Sequence, residues 1–132
     1  MVVIFLRRLI LGALILYWGF ALTMTHMPHP PPVGPPVSDK LIHFLAYGVL
    51  SGLLFLAMWM SRPNMRWLPA VVLGIILTYA AFDEITQPLF HRDCELGDWL
   101  ADSAAGVVAV SVLGTIRHFV RRRIGDSEEI AG

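Results

Sequence analysis

Charge is what this chain has least of. Only 15% of its 132 residues are Asp, Glu, Lys or Arg, 56% are hydrophobic, and the mean hydropathy is +0.65. Soluble domains carry about 25% charged residues, so water is excluded as the sole solvent for this fold and lipid takes its place. Cysteine is nearly missing too. Cys94 stands alone, which excludes an internal disulfide and leaves the redox compartment unread. There is no basic footprint of the kind nucleic acids require, because the arginines sit at helix ends, and no nucleic-acid partner is expected. Paired Cys-x-x-Cys, His-Glu-x-x-His, a Ser or Cys nucleophile motif and internal repeats are all lacking, so the most specific metal and covalent-catalysis signatures do not apply.

Apolar length is what the chain does have. A bilayer core of about 30 Å takes about 20 apolar residues per helix. Four stretches supply them: 9–25, extended backwards through 2–6 across Arg7 and Arg8, then 41–60, 68–90 and 99–116. They predict an all-α membrane protein with four antiparallel transmembrane helices. The chain divides into a first helix (1–25), a Pro-rich outer loop (26–38), a three-helix core (39–117) and a basic then acidic cytoplasmic tail (118–132). The loop holds six prolines and is expected to run as a stiff polyproline-like strap. Arg7 and Arg8 ahead of an apolar run also describe a signal peptide. Ala21-Leu22-Thr23 makes a poor cleavage site, so the first helix is expected to be retained.

Orientation follows from the basic residues. Arg7, Arg8, Arg62, Arg66, Arg117, Arg121, Arg122 and Arg123 fall on one side, and only Lys40 and Arg92 on the other. The positive side faces the cytoplasm, which predicts that both termini are cytoplasmic. Trp18 and Trp99 then lie near the outer boundary, with Trp59 and Trp67 near the inner one.

The scarce charge is also segregated. Asp39, Asp83, Glu84, Asp93, Glu95, Asp98 and Asp102 share the outer end with Lys40 and Arg92, a formal −5 that the overall neutrality conceals. Ionisable groups at membrane depth cost about 2.5–3.5 kcal/mol each, so a partner or a purpose is expected for them. Lys40, His43 and Tyr47 share one face of the second helix, Asp83 and Gln87 one face of the third, and Asp98, Asp102 and Gly106 one face of the fourth. At about 1.5 Å per residue Asp83 lies roughly 8 Å inside the outer boundary. Three stripes at matching depth converge if all face the bundle interior.

Plainer roles stand beside that one. Asp39 and Asp98 are at helix N-termini, where carboxylates cap free amides and meet the positive dipole end. Asp83 and Glu84 have no such excuse, because the outer end of their helix is its C-terminus. Asp93 and Glu95 read as a solvated loop, His26 and His29 as loop residues, and His118 as interfacial. A lone helical His43 is ordinarily structural. Gly48, Gly52, Ala101, Ala104, Ala105 and Gly106 suit close helix packing, and Pro88 ends or kinks the third helix.

An acidic cluster of this kind binds cations, pairs internally or keeps carboxyls protonated. His43, Asp83, Glu84 and Asp102 are the candidate catalytic groups, as general acid or base. His43, Asp83, Glu84, Asp98 and Asp102 are the candidate ligands for a divalent metal. Lys40, Gln87, Arg92 and Tyr47 are the candidate substrate-binding groups, with Lys40 and Arg92 placed to hold a phosphate or carboxylate.

The ordered pieces Asp39-Lys40-x-x-His43-Phe44-x-x-Tyr47, Asp83-Glu84-x-x-Gln87-x-x-Phe90, Arg92, Asp98 and Ala101-Asp102-x-x-Gly106 resemble the VanZ-like membrane proteins over 38–114. His91 departs from the pattern, since that family often places proline just before the arginine. The resemblance implies a multi-pass protein of the bacterial inner (cytoplasmic) membrane, a role in the cell envelope, and a link to glycopeptide (teicoplanin) resistance. It supplies no established catalytic residue. The leading expectation is an outward-facing polar site for membrane lipids, taking the head group of a lipid or of a lipid-linked cell-wall precursor. The alternative is a membrane enzyme that hydrolyses or transfers a phosphoryl or acyl group on such a substrate. Purely structural pairing comes next. Proton- or cation-coupled transport comes last, because the inner half of every helix lacks ionisable residues.

Overall fold

A computed structural model describes residues 1–28 and 38–131, with side chains described as far as 123. The polyproline strap and His29 fall on 29–37, outside the described residues. Four helices run in sequence: α1 (Val2–Thr25), α2 (Asp39–Ser61), α3 (Leu68–Thr86) and α4 (Leu96–Ala131), with a 3-10 turn at Gln87–Phe90 joining the last two. No strand occurs among the described residues. The four apolar spans are long enough to cross a membrane, and the protein is an all-α, four-helix membrane protein.

Local chemistry sets the helix ends. Arg62 takes φ −139°, ψ 67° ahead of Pro63, because proline's ring bars the helical conformation for the residue before it. Pro69 sits in the first turn of α3, where its missing N–H costs nothing. Pro88 has no N–H for the α ladder, so the backbone tightens into the 3-10 turn and closes with His91 at φ 61°. α4 continues through the basic then acidic segment to Ala131. The Arg run and the Glu pair there are good helix formers with no proline among them. At 36 residues α4 is about 54 Å long, so its last turns outrun any bilayer core.

α2, α3 and α4 pack on one another, and α1 lies against α2. Every fourth residue of α3 is buried: Leu68, Val72, Ile76, Ala80 and then Glu84, with Asp83 beside it. One packing stripe thus turns from aliphatic to acidic along a single helix. α4 behaves alike in reverse, from Asp98 and Asp102 through Ala105 and Gly106 to Val110. The opposite faces carry exposed Phe82, Ile85, Val108 and Val112, the side a lipid solvent would cover. Lipid tails are as apolar as these side chains, so fit and polar contacts must hold the helices together. Gly106 fits closely between α3 and α4, since a Cβ there would stand 2.9 Å from Ile76 Cγ2.

Contacts pair the helix ends. Thr25 meets Asp83, and His43 meets Asp102, so the end of α1, the start of α2, the end of α3 and the start of α4 form one polar end. At the other end Arg117 is buried, and its Nη2 donates to the carbonyls of Pro63 and Met65, each at 2.8 Å. That guanidinium ties the α2–α3 loop to α4.

Candidate functional site

The three stripes converge. His43, Tyr47, Asp83, Glu84, Gln87, Asp98 and Asp102 are all buried at the polar end. His43 is the hub. Its Nδ1 lies 3.1 Å from Asp102 Oδ1, and its Nε2 lies 3.9 Å from Asp98 Oδ2. Those two carboxylates stand one turn apart on α4, so the imidazole of α2 bridges successive turns of its neighbour.

Neighbouring Asp83 and Glu84 serve different partners. Glu84 Oε1 accepts from Gln87 Nε2 at 2.9 Å, and Oε2 accepts from the backbone N–H of Glu95 at 3.0 Å. Glu95 immediately precedes α4, so Glu84 sits at the positive end of that helix. The dipole that stabilises this carboxylate therefore belongs to the neighbouring helix, although α3 itself offers none. Asp83 turns the other way. Tyr47 donates to its Oδ2 and Thr25 to its Oδ1, each at 3.0 Å, with His26 Nδ1 at 3.5 Å.

Two residues of this network lie outside the candidate set. Thr25 is the last residue of α1 and of the first apolar span, and His26, the C-cap, reads as a loop residue in the sequence. In the fold His26 Nε2 lies 2.9 Å from Thr86 Oγ1, and its ring meets Phe90 edge-on with centroids 4.8 Å apart. The His26-Met27-Pro28 break is the one available signal, since it marks where a polar pair leaves the membrane.

The expected anion-binding cations are occupied. Lys40 Nζ lies 2.9 Å from Glu95 Oε2 and 3.3 Å from Asp98 Oδ1, and Arg92 reaches Asp39 at 3.7 Å. The hydrogen bond from Lys40 holds the exposed Glu95 carboxyl below its ordinary range. Glu95 is thus a partner to Lys40 as well as a loop residue. The α2 N-terminus has no side-chain cap hydrogen bond, so Asp39 is not a cap and reaches Arg92 instead. His91 adopts the left-handed conformation, which proline's fixed φ cannot reach. That turn folds Arg92 back over the bundle end, where its N–H bonds Gln87 O at 3.3 Å.

Above this layer a pocket of about 220 Å³ opens at the surface, lined by Pro28, Asp39, His91, Arg92, Asp93, Glu95 and Asp98. Four carboxylates outnumber one arginine there. Asp98 belongs both to this pocket and to the contact with His43, so the buried layer meets the opening through its side chain. Among the described residues, two groups bring ligand atoms within 4.8 Å of one another: His43 with Glu84 and Asp102, and His43 with Asp39 and Asp98. Asp83 belongs to neither. No nucleophile stands beside His43 among the described contacts. Ser51 Oγ donates to the Tyr47 carbonyl at 2.6 Å, and Cys94 is exposed. An imidazole oriented by a carboxylate is equipped to move a proton or to ligate an ion. No family model matches the chain, and no curated protein or solved structure shows significant similarity to it.

Proposed function

We propose that this chain is a VanZ-like integral protein of the bacterial inner membrane, with its polar end facing outward. There it binds the head group of a lipid or of a lipid-linked cell-wall precursor. The observation that carries this reading is the pocket's continuity with the buried layer through Asp98. A head group entering from the outer leaflet meets Arg92 first. Its anionic oxygen takes over the guanidinium that now reaches Asp39 at 3.7 Å, while any amine or hydroxyl finds the surrounding carboxylates. Lys40, Tyr47 and Gln87 act behind that contact by fixing Asp98, Asp83 and Glu84. The resistance link implied by the resemblance belongs to the same proposal, as an effect on cell-wall precursors at that surface.

A second reading rests on the His43–Asp102 contact of 3.1 Å. A carboxylate-oriented imidazole is a general base, and with a head-group ester above it the site would hydrolyse or transfer a phosphoryl or acyl group. Mass spectrometry of copurified lipid tests both. Wild type should retain a lipid class that Asp98→Asn and Arg92→Gln lose, and turnover of that lipid by wild type alone selects the enzyme. Identical lipid profiles in all three would discard the head-group site.

A further inference from the structure

We propose that His43, Glu84 and Asp102, completed by the side-chain oxygen of Gln87, form a site for one divalent cation of the Mn2+ or Zn2+ class. The site lies inside the polar end, below the surface pocket. It does not depend on the head-group reading.

Geometry is the first support. One ligand atom from each of the three residues lies within 4.8 Å of the others, and all three side chains are buried. Atoms bound to a common ion at about 2.0–2.2 Å lie no more than about 4.4 Å apart, so small side-chain rotations close the set. The 3.1 Å between His43 Nδ1 and Asp102 Oδ1 is a separation that two ligands of one ion take. With Nδ1 on the ion, His43 Nε2–H faces Asp98 Oδ2 at 3.9 Å. A carboxylate behind a ligating imidazole is the usual orienting partner.

The second support is independent of the acidic cluster. Gln87 is fully buried, and its Oε1 has no hydrogen-bond partner. The same amide donates from Nε2 to Glu84 Oε1 at 2.9 Å, so the free oxygen is held in the immediate neighbourhood of a cluster carboxylate. Reversing the amide would set its oxygen against the carboxylate, acceptor on acceptor. A buried carbonyl oxygen without a donor carries a desolvation cost, and a cation removes it.

Charge is the third. Lys40 and Arg92 are engaged with Glu95, Asp98 and Asp39. Of the three other buried carboxylates, Asp83 is held by the Thr25 and Tyr47 hydroxyls, and Glu84 and Asp102 beside His43 are the two that a dication matches. Three oxygens and one imidazole nitrogen suit Mn2+ or Zn2+ better than Ca2+, which prefers oxygen alone.

The test uses the full-length chain in detergent, stripped of metal by chelator and titrated with Mn2+. Free Mn2+ is counted by electron paramagnetic resonance, and the bound ion is probed for nitrogen coupling. One Mn2+ per chain should bind, with the signature of a single imidazole. Glu84→Gln and Gln87→Met should each weaken binding at least about tenfold, since even outer-shell changes cost that much. The variant Asp93→Asn, in the outer pocket, should bind as wild type does. No saturable binding at millimolar Mn2+, a bound ion without nitrogen coupling, or loss in the outer-pocket variant alone overturns the site. Wild-type nitrogen coupling decides the matter even where a variant fails to accumulate. Lipid content measured on the same samples reports separately on the head-group proposal.

Discussion

Thr25 Oγ1 donates a 3.0 Å hydrogen bond to Asp83 Oδ1 across 58 residues of chain. With Tyr47 on the other carboxylate oxygen, Asp83 joins α1, α2 and α3 at one point. That makes it a fastener for the first helix, which otherwise buries little beyond Leu14 and Ala21. Thr25→Val and Tyr47→Phe each keep shape and remove one donor. Each is expected to cost about 1–3 kcal/mol, as for a buried acceptor left unpaired, read as lower thermal stability in detergent. Mn2+ binding should persist in both.

Gly106 and Gly52 make a matched pair. A Cβ at Gly106 meets Ile76 at 2.9 Å, whereas one at Gly52 meets nothing within 4 Å. Gly106→Ala should cost about 1–3 kcal/mol through overpacking, and Gly52→Ala should be neutral or slightly stabilising. Thermal unfolding of the two variants side by side checks this.

Arg117 holds the opposite end. Arg117→Met removes the donor shared by the Pro63 and Met65 carbonyls, and a loss of about 1–3 kcal/mol is expected. Protease cleavage in the α2–α3 loop should accelerate alongside it.

The Lys40–Glu95 contact predicts a titration. Glu95 is depressed below its ordinary 4.5 by the Lys40 hydrogen bond. A depressed carboxyl stabilises the fold above its unfolded pKa and loses that contribution as pH falls through the folded value. Lys40→Met should return Glu95 toward 4.5, as followed by its carboxyl carbon resonance. The exposed pair should also weaken with salt.

Much of this was readable before any coordinates. Apolar length places four helices, because lipid demands it of every span. The three- and four-residue spacing on α2, α3 and α4 placed His43, Asp83, Glu84, Asp98 and Asp102 at one depth. Facing partners were not readable. Whether Glu84 meets its own helix's C-terminus or the next helix's N-terminus depends on how the turn after Pro88 returns the chain. The contacts of Thr25 and His26 are illegible for a similar reason, since the register of α1 against α3 is a tertiary fact with no local signature. Lys40 and Arg92 look like free cations in a linear reading because their carboxylate partners, Glu95 and Asp39, are distant in sequence. The extension of α4 was hidden by its charge, which reads equally as a solvated tail.

Cys94 offers a direct check on orientation. It is the lone cysteine and is exposed, at the polar end proposed to face outward. In intact cells a membrane-impermeant maleimide should label it. Ser61→Cys in a Cys94→Ser background should label only after permeabilisation, and the reverse pattern would invert the topology.

The meeting of α2 and α4 through His43 and Asp102 underlies both the catalytic reading and the cation proposal. A double-mutant cycle of His43→Gln and Asp102→Asn, followed by thermal unfolding in detergent, measures it. A coupling of about 0.5–3 kcal/mol is expected for side chains in contact. Additivity within about 0.3–0.5 kcal/mol would mean that the two side chains do not meet, and the site would not exist as described.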